Sequence, residues 1–127
     1  MDPIGDMLTS LINAQRAGKA RVAVPHSKFK KQLLDFLVQK GMVDHVRMQE
    51  SPRSKLVVTL KYPNGEPAIR GVRRISKPGQ RVYASAARMP YSYQSIGFVV
   101  ISTPQGLIDE SQARRQKVGG ELICAIW

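Results

Sequence analysis

A β-branched run near the C-terminus ends abruptly in a polar, turn-forming segment. Val99-Val100-Ile101 leads directly into Ser102-Thr103-Pro104-Gln105-Gly106. β-Branched residues favour strands, whereas a cluster of hydroxyl residues, Pro and Gly favours a tight turn. The pattern therefore predicts a strand that delivers a short loop to the surface, where two hydroxyl groups and backbone N–H groups are available.

That loop lies within a long tract that has no acidic side chain. The tract, residues 67–108, contains no Asp or Glu. Its cations are Arg70, Arg73, Arg74, Lys77, Arg81 and Arg88. The whole chain of 127 residues has a formal net charge of +11, which is typical of proteins that bind nucleic acid. A polar loop in a cationic tract thus predicts a polyanionic partner.

The composition argues against a membrane partner and a thiolate site. No apolar stretch approaches the roughly 20 residues that span a bilayer. Cys124 is the only cysteine and lies in an apolar run, so we expect it to fill the core rather than to react or to bind metal. One buried thiol fits a reducing compartment, and the N-terminus shows no signal or transit peptide.

Catalytic patterns are missing from the sequence. His26 and His45 are the only histidines, and neither lies in a metal-ligand or His–carboxylate pattern. Ser102 lacks the Gly-x-Ser-x-Gly context of a nucleophile elbow. We therefore expect a binding protein that is not an enzyme and uses no metal, cofactor or small-molecule substrate.

The first half of the chain predicts an α-β-α-β-β module, residues 1–66. Asp2-Pro3 begins one helix and Gly18 ends it, while Ser27 begins a second helix that ends at Gly41. Strands are expected at residues 20–24, 42–48 and 56–60. The segment 62–67 is dense in turn residues and marks the end of the module.

The second half, residues 67–127, predicts a mainly β module with one short helix. Its strands are expected at residues 68–75, 80–85, 97–102 and 122–126. A turn is expected at Lys77-Pro78-Gly79, and Asp109 with Gln112 has the spacing of a helix-capping box. The predicted fold class is therefore α+β, with two small packed modules.

Basic residues in both halves could contact phosphate. Lys28, Lys30 and Lys31 crowd the start of the second helix, where a phosphate could be held together with the helix N-terminus. A solvated helix face is the alternative interpretation. Arg73 and Arg74 are adjacent on a predicted strand, so they must point to opposite faces and only one is expected to contact phosphate.

Tyr83 and Glu121 each allow two interpretations. Tyr83 could stack a base or a sugar, or it could belong to the core. Glu121 could accept a hydrogen bond from a base amino group or a 2′-hydroxyl. Alternatively, it could form a salt bridge to Arg114 or Arg115.

Five segments of the chain resemble the small-subunit ribosomal protein S-eight family, in its bacterial and organellar branch. They are DPIGDML (residues 2–8), SKPGQRVY (76–83), STPQGLI (102–108), AR (113–114) and GGELIC (119–124). The resemblance implies two packed α+β modules that bind the central domain of small-subunit ribosomal RNA and help the subunit to assemble. It also implies contacts with neighbouring small-subunit proteins and, in some members, repression of their own message.

The resemblance further implies a ribosomal location, in the bacterial cytoplasm or inside a mitochondrion or plastid. The family loop is commonly Ser-Thr-Ser, and here Pro104 replaces the third hydroxyl residue. Residue patterns and resemblance together give one set of candidate RNA-binding residues. The set is Ser102, Thr103, Pro104, Gln105, Gly106, Tyr83, Glu121, Gly119, Gly120, Lys28, Lys30, Lys31, Lys77, Arg81 and Arg88. The alternative function is an RNA- or DNA-binding regulator that acts outside the ribosome through the same surface.

Overall fold

The computed structural model describes residues 2–50, 52–91 and 97–127, which fall into two compact units. One unit is Pro3–Arg70, and the other is Asp2 together with Gly71–Trp127. Three helices and two antiparallel sheets confirm the predicted α+β fold class. The division after Arg70 lies slightly beyond the boundary that the sequence predicts between residues 66 and 67.

The first unit has the predicted α-β-α-β-β order. Its elements are helix α1 (Pro3–Arg16), strand β1 (Arg21–Pro25), helix α2 (Lys28–Gln39), strand β2 (Val43–Gln49) and strand β3 (Lys55–Leu60). β3 lies between β1 and β2 and pairs antiparallel with both. Alternation along β3 places Leu56, Val58 and Leu60 on one face, and all three are buried.

Local signals account for the helices of this unit. Leu8 and Leu11 of α1 and Leu33 and Leu37 of α2 recur at helical spacing and are almost fully buried. The Ser27 hydroxyl accepts a hydrogen bond from the Lys30 backbone N–H at 3.1 Å, so the predicted N-cap of α2 is confirmed. Burial of these apolar faces stabilises both helices more than their intrinsic propensity does.

The second unit is built on a five-stranded antiparallel sheet. Its elements are β4 (Val72–Arg74), β5 (Tyr83–Ala84), β6 (Phe98–Thr103), β7 (Gly106–Asp109), helix α3 (Glu110–Gln116) and β8 (Gly120–Ile126). The strand order is β4-β8-β6-β7, and β5 pairs with the same edge of β8 as β4 does. The Asp109 carboxylate accepts from the Gln112 N–H at 2.7 Å, which confirms the predicted helix cap.

Two strands predicted in this unit are too long, and a third strand, β7, was not predicted. Residues 68–75 and 80–85 were expected as long strands, yet only short segments of each pair with β8. The reason is that the chain leaves the sheet edge between Ile75, whose N–H still donates to the Ile123 carbonyl of β8, and Val82, whose carbonyl accepts from the Leu122 N–H. Lys77 and Gln80 close the predicted turn within this loop, with two backbone hydrogen bonds of 3.0 and 2.9 Å. β7 was not predicted, because its short run follows a tight turn directly and leads straight into α3.

One face of this sheet buries a cluster of apolar side chains. The cluster consists of Met89, Val99, Ile101, Ala113 and Ala125. Cys124 is also fully buried, which confirms its predicted place in the core. Burial raises the pKa of the Cys124 thiol to about 12. Within the described ranges, no helix is both long enough and apolar enough to cross a membrane.

We expect Cys124 to react with an aromatic disulfide reagent far more slowly in the folded protein than in the unfolded chain at mildly alkaline pH. Burial removes both access and the reactive thiolate. Because the folded pKa lies above the ordinary value of 9.0, the associated stability is complete below about pH 9 and declines as the pH rises toward about 12. The release of the coloured thiolate, with and without denaturing guanidinium, measures the two rates. Equal rates would contradict the burial of this thiol.

Candidate nucleic-acid interface

Three candidate residues form a row across neighbouring strands of the second unit. Tyr83 on β5 pairs with Glu121 on β8, and Glu121 also pairs with Ser102 on β6. Residues directly opposite one another in antiparallel strands project from the same face, with Cβ atoms about 4.5–5.5 Å apart. The sheet therefore brings together a phenol, a carboxylate and a hydroxyl that are distant in the sequence. We call Tyr83, Glu121 and Ser102 the polar row.

The polar row projects from the face opposite the apolar cluster. Ile101 and Leu122, which adjoin Ser102 and Glu121 in the chain, pack in that cluster, and successive residues of a strand alternate between faces. Tyr83 is 68% exposed. The interpretation of Tyr83 as a core residue is therefore wrong, and its ring is accessible to a ligand.

Glu121 also holds the loop of residues 75–82 against the sheet. One of its carboxylate oxygens accepts hydrogen bonds from the Ser76 hydroxyl at 2.5 Å and from the Arg81 guanidinium at 3.2 Å. Ser76 is fully buried, and its hydroxyl oxygen accepts from the Val82 N–H at 3.1 Å. A buried hydroxyl that both donates and accepts holds the two ends of the loop together. Sequence reasoning missed this role of Ser76, although a hydroxyl residue just before a Lys-Pro-Gly turn is a usable signal.

One of the two interpretations of Glu121, a salt bridge to Arg114 or Arg115, is wrong. Arg81 takes that position, while the Arg114 guanidinium donates to the Pro90 carbonyl at 2.5 Å. Arg114 also lies over the Tyr91 ring, 4.6 Å from its centroid. Helix α3 thus directs this arginine toward residues 90–91 rather than toward the polar row.

The β6–β7 hairpin uses one of its two predicted hydroxyls internally. Thr103 and Gly106 pair across the two-residue turn Pro104-Gln105. The Thr103 hydroxyl donates to the Gly106 carbonyl at 2.8 Å and accepts from the Gln105 N–H at 3.2 Å. By contrast, the Ser102 hydroxyl makes no hydrogen bond within the described part of the chain. The half-buried Ser102 is therefore the hydroxyl of the two whose hydrogen-bonding capacity is unused within the described chain.

Gly119 and Gly120 allow the strands beside the polar row to approach closely. A Cβ atom at Gly119 would lie 2.6 Å from the Ala84 carbonyl oxygen. A Cβ atom at Gly120 would overlap the Ser102 carbonyl oxygen. Both neighbours are backbone atoms, which cannot move away without disturbing strand pairing. The two glycines are thus needed for packing, and their use in binding stays a prediction.

The candidate cations of the second unit are exposed but differ in their partners. Lys77 lies in the turn of the 75–82 loop, and Arg88 ends a short 3-10 turn. Neither side chain makes an ion pair within the described residues. Arg81 shares the carboxylate of Glu121. Lys77 and Arg88 therefore carry uncompensated positive charge.

Arg73 and Arg74 differ in exposure, as predicted for neighbours on a strand. Arg73 is exposed, whereas the Arg74 side chain is only 10% exposed. Arg74 pairs with Asp2 at 3.1 Å and donates to the Ile123 carbonyl at 2.6 Å. These contacts give Arg74 a structural role.

The three candidate lysines of α2 belong to the other unit and are not equivalent. Lys28 is exposed, whereas Lys30 is only 8% exposed. The Lys31 ammonium contacts both carboxylate oxygens of Asp35, at 2.9 and 2.8 Å. Within the described ranges, Lys28 is thus the one lysine of the three that is both well exposed and unpaired.

Nearly the whole chain is similar to proteins of one kind. Residues 2–127 match the family model described as Ribosomal protein S8. Three relatives carry the name small ribosomal subunit protein uS8; they come from Persephonella marina, Desulfovibrio desulfuricans and Rubrobacter xylanophilus. They are 39%, 44% and 42% identical to this chain over 99% of its length, and the matches cover 98%, 98% and 97% of the relatives.

We expect Ser76→Ala to lower the free energy of unfolding by about 1–3 kcal/mol, because the change removes a fully buried hydroxyl that is the acceptor of the Val82 N–H and a donor to Glu121. The melting temperature, or a urea titration, measures the loss. Ser54→Ala is the matched control: Ser54 is exposed, and its hydroxyl makes no hydrogen bond among the described residues. Equal stability of the two variants would contradict the role assigned to Ser76.

Proposed function

The chain belongs to the ribosomal protein S8 family, and we propose that it is a structural component of the small ribosomal subunit that binds the central domain of its ribosomal RNA. The relatives named above match it end to end and carry the name of that subunit. Membership in a family of ribosomal proteins also agrees with the prediction that the chain is not an enzyme.

The polar row is the observation that supports specific RNA binding most directly. The exposed ring of Tyr83 offers a face on which a base can stack. The Ser102 hydroxyl can donate to, or accept from, a base edge or a 2′-hydroxyl. The second carboxylate oxygen of Glu121 makes no hydrogen bond within the described residues, so it can accept from a base amino group or a 2′-hydroxyl.

These three groups suit an irregular RNA element better than a regular helix. In A-form RNA the major groove is too deep and narrow for side chains to read, and the shallow minor groove is recognised mostly by shape and by contacts to 2′-hydroxyls and phosphates. Splayed or unstacked bases expose both their faces and their edges. A ring, a hydroxyl and a carboxylate oxygen side by side can contact one such base and the adjoining sugar. The hairpin turn holds Ser102 at a defined position for this contact.

Exposed cations of the second unit supply affinity that does not depend on sequence. Lys77 and Arg88 are exposed and uncompensated, and the whole chain carries a net charge of +11. Lys and Arg that neutralise phosphates release bound counterions, so affinity falls as salt rises. In this proposal phosphate contacts position the protein, and the polar row distinguishes the correct RNA from others.

Binding to the central domain would help the subunit to assemble and bring the chain next to other small-subunit proteins. The ribosome in question is that of a bacterial cytoplasm or of an organelle. Co-sedimentation with small subunits, followed by mapping of protein–RNA crosslinks, tests this role. A regulator that acts outside the ribosome would stay in the supernatant. Crosslinks that avoid the polar row would contradict the binding site.

Ser102→Ala should weaken binding to a central-domain ribosomal RNA fragment by about 1–3 kcal/mol, because a hydrogen bond to the RNA is lost. The melting temperature should not change, since the hydroxyl has no partner within the described chain. Filter binding measures the affinity. Adding Thr103→Ala should lower stability as well, because that hydroxyl closes the turn, whereas Thr103→Ser preserves it. Unchanged binding by Ser102→Ala would reject the proposed contact.

Lys28→Ala should weaken binding to all RNAs by a similar factor, because an exposed ammonium contacts phosphate and not a base. The slope of log affinity against log salt should become shallower by about one. Lys31→Ala is the matched control and should change the slope less, because Asp35 already pairs with Lys31. A loss confined to the central-domain fragment would contradict this role of Lys28.

A further inference from the structure

The sheet of the unit Pro3–Arg70 has one exposed face. The strand register places nine residues on it: Arg21, Ala23 and Pro25 of β1, Lys55, Val57 and Thr59 of β3, and His45, Arg47 and Gln49 of β2. We call these nine residues the open face. Seven of them are exposed, Thr59 is half-buried, and the central Val57 is buried. On the opposite face Val24, Leu56 and Val58 are at most 3% exposed, although Met48 at its edge is 44% exposed.

Each strand contributes one permanent cation to the open face. Arg21, Lys55 and Arg47 lie on β1, β3 and β2, and no Asp or Glu shares this face with them. None of the three cations makes an ion pair or a hydrogen bond within the described residues. Two acids adjoin the open face in the chain: Asp44, which contacts the His45 ring at 3.4 Å, and Glu50, which follows Gln49. Neither forms an ion pair with Arg21, Arg47 or Lys55, so these three cations are unpaired within the described residues.

The cations are spread over the sheet rather than clustered at one point. Arg21 and Arg47 lie two strands apart, a separation of about 10 Å between backbones. Lys55 lies on the strand between them, in a different row of the register. A small anion could contact only one of these groups, whereas an extended polyanion could contact all three.

A cavity of about 270 Å³ borders this surface. Ala23, Pro25 and Lys55 of the open face line it, together with Val24, Arg53 and Ser54. Arg53 adds a fourth cation, which is also unpaired within the described residues. The cationic surface thus continues beyond the strands into the β2–β3 connection.

We propose that the open face is a second RNA-binding surface, which holds the phosphate backbone of a duplex through Arg21, Arg47 and Lys55. The proposal rests on the proposed function only in its choice of RNA as the polyanion. Surfaces that bind single strands present aromatic rings for stacking. The open face carries no Phe, Tyr or Trp, so backbone contacts to a duplex fit it better. These contacts are sequence-independent, unlike those of the polar row.

The test compares two variants that lose the same charge from the same unit. The open-face variant is Arg21→Gln/Arg47→Gln/Lys55→Gln, and the control variant is Arg16→Gln/Lys19→Gln/Lys40→Gln, whose residues lie outside the three strands. The probe is a mixed-sequence RNA duplex, and its affinity is measured over a series of salt concentrations. Each lost phosphate contact removes about 0.9 from a duplex salt slope. The open-face variant should therefore lose about two to three units of slope, and the control less than one.

A labelling experiment on the wild-type protein keeps the proposal testable if the open-face variant does not fold. The RNA duplex should protect Lys55 from an amine-reactive reagent, and Lys19 should be protected less. Equal slopes for the two variants, or equal labelling of the two lysines, overturn the proposal. If the open-face variant keeps the wild-type slope but no longer joins small subunits, a protein occupies this face and the proposal is also wrong.

Failure of the proposed function gives a different result. In that case the wild-type protein does not prefer a central-domain ribosomal RNA fragment to the unrelated duplex. The comparison of salt slopes is unaffected, because it uses the unrelated duplex alone. The two proposals can therefore fail independently.

Discussion

The hydrogen bonds that Ser76 and Glu121 share determine the geometry of the candidate interface. They close the loop of residues 75–82, so that β5 returns to the same edge of β8 that β4 has just left. That return places Tyr83 opposite Glu121, whose other neighbour is Ser102. Without it, the ring would have no defined position relative to the carboxylate and the hydroxyl. A single buried hydroxyl thus organises groups from three separate strands.

Glu121 has two functions because its carboxylate has two oxygens. One oxygen accepts from Ser76 and Arg81 and so belongs to the architecture. The other has no partner within the described chain and can serve a ligand. An acid in a basic protein would ordinarily repel phosphate. Here the Arg81 guanidinium compensates its charge, so the carboxylate can act as a local hydrogen-bond acceptor without repelling RNA.

The two units present different chemistry to a polyanion. The polar row combines an aromatic ring with hydrogen-bonding groups, which can distinguish one RNA from another. The open face combines dispersed, unpaired cations with no aromatic side chain, which favours backbone contacts. Lys30 and Lys31 show that charge alone does not predict which side chains can bind RNA. Lys30 is buried, and the charge of Lys31 is compensated by Asp35. A cation contributes to binding only where its exposure and its partners allow it.

Local patterns in the sequence were sufficient to predict the α+β class, the helix caps Ser27 and Asp109, the Lys77-Pro78-Gly79 turn, the buried Cys124 and the family. Those features depend on neighbouring residues or on composition, so they can be read along the chain. Tertiary structure alone decided that Glu121 pairs with Arg81, that the Thr103 hydroxyl forms its hydrogen bonds within the turn and that Tyr83 is exposed. It also decided the short lengths of β4 and β5. The physical reason is that strand register and competition for hydrogen-bond partners involve residues far apart in the sequence, and no local pattern encodes which of several available partners is near.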